Sequence, residues 1–448
     1  MKRIVYGFAA LTTAAWLLGL WVDPPAMNGR GLSHEVFYWN GILAWGYMAM
    51  AIVIAARPAW LERATKTPLD ELYRWHRTIG FWALGLSVFH WLTKTIMAPV
   101  FSLMTLEPVP KIVRGELTGF DLFWSQMRGF AVDSSIWATV IALVLGALVF
   151  VKALRYTKWL QLHKLFSALF IVLSIHAIRL ADPADFTLPL GIINLAVTAV
   201  GLWYSVLLLV RGAGREKEVP ARVTDVEVHE SITLLTVKPE KPLHVRAGEF
   251  AFLATQNEEK HPFSVAEILP DGSLRFAVKA LGDYTTNDVP RIAPGDEVRL
   301  EGPWGAFTLE PFETDAATRR KELWVAGGIG IAPFCAWLQD AAERKAKVAD
   351  DEAFAKSHPI AKLLWCVRDR ADEPMLPKIE ALARRAGIEF HIVESKKSRL
   401  KPEALFTAGV PDRLALCAGA GLSNAVAEAF VAAGGSKTAI RCEHFDWR

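Results

Sequence analysis

The chain has 448 residues, 52% of them hydrophobic, and a formal net charge of +3 at pH 7. So small a net charge gives no electrostatic reason to expect a nucleic-acid partner. The apolar residues are concentrated before Arg211, and beyond it no apolar run approaches the ~20 residues that a helix needs to cross a bilayer. The composition therefore predicts a membrane half followed by a soluble half.

Apolar segments in the first half predict a bundle of six transmembrane helices. They cover approximately residues 4–22, 36–56, 78–100, 134–153, 160–181 and 187–210. The first segment follows Lys2 and Arg3 and could be read as a signal peptide, but it is long and no small-residue cleavage site clearly follows it. We therefore expect it to be a membrane helix.

The loops between these segments alternate in charge. Basic residues precede the first segment and follow the second, fourth and sixth, and the other loops are mixed or acidic. The positive-inside rule therefore predicts a multi-pass protein of the cell inner (plasma) membrane, with its N-terminus and soluble half on the cytoplasmic side. All four cysteines lie in the soluble half without a CxxC motif, as expected in a reducing compartment.

Two apolar segments carry a histidine near each end. His76 and His90 are 14 positions apart in "WHRTIGFWALGLSVFHW", and His163 and His176 are 13 apart in "HKLFSALFIVLSIH". Each pair would span about 20 Å of helix, within a hydrocarbon core about 30 Å thick. We expect each pair to share one helix face, so that His76 meets His163 at an inner level and His90 meets His176 at an outer level.

Two facing imidazoles at each level are what a six-coordinate haem iron needs above and below its plane. Iron would take the histidine lone pairs, so these side chains would not be unpaired polar groups in lipid. A single histidine of this kind could equally be interfacial or form an interhelical hydrogen bond. Four at matched depth on two helices favour two stacked b-type haems and an electron path across the membrane.

With this histidine pattern the sequence resembles the ferric reductase and NADPH oxidase family of transmembrane flavocytochromes b. The resemblance covers about residues 36–448, and the first helix is its least diagnostic part. It implies a haem-binding transmembrane domain at 1–211 and cytoplasmic domains of the ferredoxin-reductase type.

The soluble half changes pattern twice. After a polar linker at 212–221, alternating stretches such as "ARVTDVEVHESITLLTVKP" predict short strands and an antiparallel β-barrel at 222–312. From 319 to 448 a strand, a glycine turn and a helix recur, which predicts an α/β domain with a parallel sheet.

The resemblance implies that the barrel binds FAD. "HPFSVAEI" matches the family's flavin motif, and "FAVKALGDYTTND" resembles its FAD-pyrophosphate segment. Ser264 would then bond a flavin ring atom, and Lys279 would supply charge to the phosphates. The cofactor-binding residues implied in the barrel are His261, Pro262, Phe263, Ser264, Lys279, Gly282 and Thr285.

The same resemblance implies that the last domain binds NADPH or NADH. "VAGGIGIAPF" follows a strand and opens a helix, where a pyrophosphate is favoured, and it supplies Gly327, Gly328, Gly330 and Pro333. Arg368, just past the second strand of this domain, could meet a 2′-phosphate and favours NADPH, or it could be a surface charge.

Two catalytic residues are implied near the nicotinamide. The family's Cys-Gly-Pro motif reads "CAGAG" here, which retains Cys417 but puts the local turn geometry in doubt. The family's Glu-x-Phe ending, whose aromatic covers the flavin, reads "CEHFDWR". Phe445 is the candidate for that aromatic, and Trp447 is the alternative.

Together these features imply electron transfer from NAD(P)H through FAD and two haem b groups to an outer acceptor. A ferric chelate is favoured, because position 94 is Lys where the animal oxidases have a His, and the second helix lacks their Arg. Reduction of dioxygen to superoxide or hydrogen peroxide stays open, and His34 could serve either acceptor. The alternatives are a quinone-linked cytochrome b fused to a reductase, and a flavin reductase with a mere membrane anchor, against which the histidine pairs argue.

Overall fold

The computed structural model describes residues 1–25, 29–93, 96, 100, 103, 118–151, 156–181, 183–255, 260–309, 320–347 and 360–443. The chain divides into two compact units, a helical unit that ends at Glu216 and a second unit that follows from Lys217.

Eight α-helices form the described part of the first unit. They are α1 (Lys2–Val22), α2 (Gly29–Ala56), α3 (Leu61–Thr65), α4 (Leu69–Leu92), α5 (Gly119–Ala147), α6 (Tyr156–His163), α7 (Leu165–Arg179) and α8 (Pro189–Val210). Within the described ranges, five spans are long and apolar enough to cross a membrane, and α6 and α7 together make one of them. Helix α4 has 24 residues, but its first two turns carry charges such as Asp70 and Arg74. The chain is a membrane protein, and the five spans found in the described residues are roughly consistent with the predicted six.

The segment predicted at 160–181 is two helices, because α6 ends at His163 and α7 begins at Leu165. The backbone N–H of Ser167 donates to the carbonyl of Lys164 at 3.0 Å, a three-residue spacing that winds the chain more tightly than an α-helix. On a regular helix, a 13-residue step ends about 140° short of four turns. A regular helix would therefore not bring His163 and His176 onto one face. The tight turn at Lys164 adds rotation in the direction that this shared face requires.

The membrane helices pack around a core in which aromatic rings meet small residues. Helix α2 packs against α1 and α8, and α7 packs against α5 and α8. Trp45 of α2 stacks on Phe170 of α7 with ring centres 3.8 Å apart. A Cβ on Gly201 would lie 2.1 Å from the Phe170 ring, so glycine at this position lets α8 approach α7.

A closed barrel begins the second unit. Its strands are β1 (Glu218–Val228), β2 (Ile232–Pro239), β3 (Phe250–Ala254), β4 (Lys260–Ile268), β5 (Leu274–Lys279) and β6 (Glu297–Trp304), and the short helix α9 (Asp283–Asn287) follows β5. The strand order is β1-β2-β5-β4-β3-β6 with antiparallel neighbours. Alternate residues, among them Leu235, Val237 and Phe276, fill the interior and are fully buried.

A parallel sheet completes the second unit. It contains β7 (Lys321–Gly327), β8 (Ile360–Val367), β9 (Glu389–Glu394), β10 (Arg413–Cys417) and β11 (Ile440–Cys442) in the order β11-β10-β7-β8-β9. Its helices are α10 (Ala332–Lys347), α11 (Leu376–Ala386) and α12 (Ala420–Ala432). The predicted fold class, a helical membrane bundle followed by an antiparallel barrel and a parallel α/β domain, is confirmed.

The barrel and the sheet domain share one hydrophobic core. Barrel residues such as Ile232 and Ala266 belong to the same buried cluster as Trp324 and Trp337 of the sheet domain. Polar contacts reinforce it, because the N–H of Ile268 donates to Gln339 Oε1 at 3.1 Å and Gln339 Nε2 donates to the Ile268 carbonyl at 2.6 Å. These contacts hold the two domains of the second unit together.

Candidate functional site

The inner histidines lie close together. The ring centres of His76 on α4 and His163 on α6 are 5.8 Å apart, and the ring planes are inclined by 64°. His76 Nδ1 is 3.0 Å from the Ala51 carbonyl of α2. His163 Nδ1 is buried and has no hydrogen-bond partner among the described residues.

The outer histidines repeat this arrangement. The ring centres of His90 on α4 and His176 on α7 are 6.2 Å apart, with planes inclined by 76°. His176 Nδ1 lies 3.2 Å from the Ala131 carbonyl of α5. His90 Nδ1 lies 2.8 Å from Asn40 Oδ1 and 3.1 Å from the Phe37 carbonyl.

Both pairs fit a metal group bound from two sides. Two imidazoles that bind one metal ion from opposite sides, through bonds of about 2 Å, hold their ring centres about 6 Å apart. An acceptor at Nδ1 keeps the proton on that nitrogen, so Nε2 presents its lone pair. In the described part of the chain no third His, Cys, Asp or Glu joins a histidine pair to make a metal site. Haem suits a site with two protein ligands, because its macrocycle supplies the other four ligands of the iron.

Two further residues of α2 serve the outer pair, and the sequence analysis missed them. Asn40 accepts the hydrogen bond from His90, as described above. A Cβ on Gly41 would lie 2.8 Å from His90 Cε1, so only glycine leaves room for the ring. The available signal was an Asn-Gly pair inside an otherwise apolar helix.

The flavin motif forms most of β4. Pro262 and Phe263 pair with Phe252 and Ala251 of β3. His261 stacks on Tyr284 of α9, with ring centres 3.9 Å apart and planes inclined by 12°. Ser264 is buried, so its hydroxyl points to groups inside this unit.

The pyrophosphate segment connects the barrel with the glycine turn of the sheet domain. Lys279 Nζ would lie 3.7 Å from a Cβ on Gly328, which places the ammonium group at that turn. Thr285 Oγ1 accepts hydrogen bonds from the N–H groups of Leu281 and Gly282, both at 3.0 Å. Thr285 therefore holds the loop around Gly282.

The glycine turn after β7 packs onto the chain after β10. A Cβ on Gly330 would lie 2.0 Å from the Cys417 carbonyl oxygen, and one on Gly327 would lie 2.7 Å from Ala418 Cβ. Glycines at these positions bring the turn against Cys417. Pro333 is the second residue of α10, where its missing N–H costs no helix hydrogen bond.

Cys417, Ser264 and Glu443 form a buried polar cluster. Glu443 Oε2 is 3.5 Å from Ser264 Oγ and 4.0 Å from Cys417 Sγ. Glu443 Oε1 is buried without a hydrogen-bond partner in the described part of the chain. Burial raises the pKa of the Glu443 carboxyl and the pKa of the Cys417 thiol well above their usual values. Sequence reasoning missed Glu443, although the Glu-x-Phe ending contained it.

Arg368 lies at the carboxyl ends of two adjacent strands. It is exposed directly after β8, and its carbonyl accepts a hydrogen bond from the N–H of Lys396, two residues after β9, at 3.2 Å. Lys396 Nζ in turn donates to Asp369 Oδ2 at 2.8 Å. This end of the sheet therefore carries basic side chains.

Of the four remaining candidates, the structure describes His34. Phe445, Trp447 and Lys94 lie outside the described residues. His34 is half-exposed in α2, where Nδ1 lies 3.8 Å from the carboxylate of Glu35.

Comparison with known proteins agrees with this geometry. Residues 40–174 match the model of the ferric reductase like transmembrane component. This membrane region is therefore similar to the transmembrane component of ferric reductases. The match includes His76, His90 and His163 and ends two residues before His176.

Curated relatives of this chain, together with the family match, confirm the resemblance to the ferric reductase and NADPH oxidase family. Human dual oxidase 1 is 23% identical over 319 residues, covering 65% of this chain and 19% of that protein. The toluate 1,2-dioxygenase electron transfer component of Pseudomonas putida is 29% identical over 169 residues, covering 36% and 44%. The chain thus spans less than half the length of these relatives.

Among solved structures, a flavohemoglobin from Malassezia yamatoensis with bound FAD and heme aligns over 97% of this chain and 98% of its own. The TM-score is 0.49 and the identity 15%. This likeness is too weak to support an argument about function.

Proposed function

We propose that this chain carries electrons from cytoplasmic NAD(P)H, through FAD and two b-type haems, to an acceptor on the outer side of the plasma membrane. The observation that carries the proposal is the pair of facing histidine couples, with ring centres 5.8 and 6.2 Å apart. Support comes from the barrel and parallel sheet that follow them in the same chain.

The residues have distinct parts in this proposal. His76 and His163 would hold the inner haem, and His90 and His176 the outer one. Bound flavin and haem would supply the exchange between a two-electron donor and one-electron carriers. The carbonyls of Ala51 and Ala131 orient His76 and His176 so that each presents Nε2.

The buried cluster in the second unit suits proton handling beside the flavin motif. Because burial raises the pKa of the Glu443 carboxyl well above its usual value, Glu443 can hold a proton within reach of the Ser264 hydroxyl at a pH where an ordinary carboxyl has lost it. Cys417 stays a neutral thiol for the same reason, since burial disfavours a thiolate. This side chain would therefore shape the nicotinamide position without acting as a nucleophile.

The nucleotide preference is proposed from Arg368. An exposed guanidinium at the carboxyl end of β8, next to Lys396, is suited to a 2′-phosphate. We therefore favour NADPH over NADH.

For the acceptor, we favour a ferric chelate, because reduction at the edge of the outer haem needs no dedicated ligand. Dioxygen is the second candidate, and the similarity to dual oxidase 1 favours it. Superoxide and ferrous chelate formation, measured on one preparation with NADPH as donor, would decide between them. Superoxide as the sole product would overturn the ferric-chelate proposal.

Haem content and reducibility test the electron path. In detergent-purified protein we expect two bis-histidine b-type haems per chain, reducible by NADPH only when FAD is bound. His90→Ala should remove one haem, and His229→Ala, at a half-exposed histidine of the soluble half, should retain both. A wild-type protein without haem, or a His90→Ala variant that keeps both, would contradict the proposal.

A further inference from the structure

Asn40 is a polar residue that is buried among the membrane helices. It is 0% exposed, and both ends of its amide are hydrogen-bonded. Asn40 Nδ2 donates to Thr93 Oγ1 at 3.3 Å, and Asn40 Oδ1 lies 2.8 Å from His90 Nδ1. An asparagine in this position joins α2 to the end of α4 and to the outer histidine couple.

Thr93 determines which way the Asn40 amide faces. The Thr93 hydroxyl donates its one proton to the Phe89 carbonyl at 2.7 Å, so toward Asn40 it can only accept. Asn40 must therefore turn its NH2 group to Thr93 and its carbonyl oxygen to His90. Because a carbonyl oxygen only accepts, the proton of the His90 imidazole lies on Nδ1, and Nε2 presents a lone pair.

The packing of the ring prevents the alternative orientation. Phe37 stacks on the His90 ring with centres 3.7 Å apart. The space that a Cβ on Gly41 would occupy lies 2.8 Å from His90 Cε1 and 3.0 Å from Nδ1. Because Phe37 of α2 stacks directly on the ring, a flip about the Cβ–Cγ bond, which would exchange Nδ1 with Cδ2 and Nε2 with Cε1, would drive the ring into Phe37.

The other three histidines have different surroundings at Nδ1. His76 Nδ1 and His176 Nδ1 lie 3.0 and 3.2 Å from backbone carbonyls. His163 Nδ1 has no hydrogen-bond partner within the described residues. His90 has the Phe37 carbonyl as well as the shorter contact to Asn40.

We propose that Asn40 is a positioning residue that fixes the tautomer of His90 and lowers the reduction potential of the outer haem. The inference rests on the proposed function, since it needs haem at His90 and His176. A hydrogen bond donated from Nδ1 makes Nε2 a more basic ligand, and a more basic ligand favours oxidised over reduced iron. The outer haem thereby becomes a stronger reductant for the acceptor.

The test is a redox titration of full-length protein that carries both haems. Asn40→Leu keeps the branched shape of the side chain and removes the acceptor. We expect the potential of the outer haem to rise and that of the inner haem to stay. Loss of such an outer-sphere partner changes metal affinity about tenfold or more, and a tenfold change in preference for oxidised iron is about 59 mV for a one-electron couple.

Asn194→Leu is the matched control. Asn194 is also buried, at 1% exposure, but it donates to the Ala177 carbonyl at 3.0 Å and accepts from Thr198. Removing it disturbs a buried amide of the same kind without touching His90. We expect both haem potentials to stay at their wild-type values.

Thr93→Val provides a second route if Asn40→Leu does not assemble. This change removes the hydroxyl that orients the amide and should raise the outer potential by a smaller amount. Whichever of the two variants assembles with both haems should show a raised potential of the outer haem. If that potential is unchanged, the proposed role of Asn40 is wrong, but the proposed electron path is not affected. A wild-type protein without haem would overturn both.

Discussion

At the scale of single residues, Glu443 shows how burial sets the chemistry of a side chain. It is 3% exposed, and its described neighbours offer the hydroxyl of Ser264 and the thiol of Cys417 but no nearby ammonium or guanidinium contact. A carboxylate in such a place has lost its hydration without gaining a counter-charge. The neutral acid is therefore the stable form.

This burial makes stability depend on pH. The folded chain keeps the Glu443 proton above the usual carboxyl pKa of 4.5, whereas the unfolded chain releases it. Folding stability should then fall as pH rises above that value, by up to about 1.4 kcal/mol per pH unit. In thermal unfolding from pH 5 to 8, Glu443→Gln should flatten this decline. The exposed control Glu240→Gln should keep the wild-type slope, and an unflattened slope in Glu443→Gln would contradict the prediction.

Sequence analysis could identify those functional residues whose spacing within a single segment reveals that they act together. His76 and His90 stand out because they bracket one apolar run. Asn40 and Gly41 contact His90 from a helix about fifty positions earlier. No local pattern reports such a contact, because it is created by helix packing.

At the scale of secondary-structure elements, the approach of α2 to α4 depends on a missing side chain. A Cβ on Gly41 would lie only 2.8 Å from Cε1 of the His90 ring. Such a distance is well inside van der Waals contact, and the ring is also stacked on Phe37. The two helices can therefore hold the ring only with glycine at this position.

Gly41→Ala should displace His90 and lower the outer haem content. We expect close to one haem per chain, measured from the pyridine haemochrome spectrum, with the inner haem retained. Gly7→Ala on α1 is the control, because a Cβ there would meet nothing within 4 Å and Gly7 is exposed on a helix that carries none of the four histidines. Two haems with unchanged potentials in Gly41→Ala would show that α2 does not constrain His90.

The positions at which helices begin and end were harder to predict from the sequence than the presence of the helices. Helix α4 begins at Leu69, earlier than the apolar run at 78, because its first turns are charged and carry no hydropathy signal. The break at Lys164 has no glycine or proline to announce it. Such a local tightening arises from tertiary packing, which hydropathy does not report.

At the scale of the whole molecule, the linker between the units is exposed to proteases. Arg211 and Arg215 are exposed, and Gly212 and Gly214 between them have positive φ angles of 79° and 72°. The N–H of Gly214 donates to the Ala56 carbonyl at the end of α2 at 2.9 Å. The linker thus starts at the same membrane side as the end of α2.

Limited trypsin digestion tests the proposed orientation. In sealed inverted vesicles, cleavage at Arg211 or Arg215 should release the second unit. In right-side-out vesicles the same sites should be protected until detergent is added. Release from the intact right-side-out vesicles would place the soluble half outside and reverse the proposed direction of electron flow.

The types of domain could be predicted from the sequence, but the order in which their strands pair could not. Alternating residues and glycine turns distinguished the barrel from the α/β domain. The order in which the barrel strands close, β1-β2-β5-β4-β3-β6, depends on pairings between strands far apart in sequence. Local periodicity assigns strands, and long-range packing decides their neighbours.

The two-way bond between Ile268 and Gln339 has a kinetic consequence. With that bond and a common core of buried tryptophans, a hinge between barrel and sheet would expose apolar surface to water. A nucleotide must therefore enter and leave without a large domain swing. Turnover limited at that stage should respond to added glycerol or sucrose no more strongly than diffusion of the nucleotide itself requires, since no domain has to move through the viscous solvent.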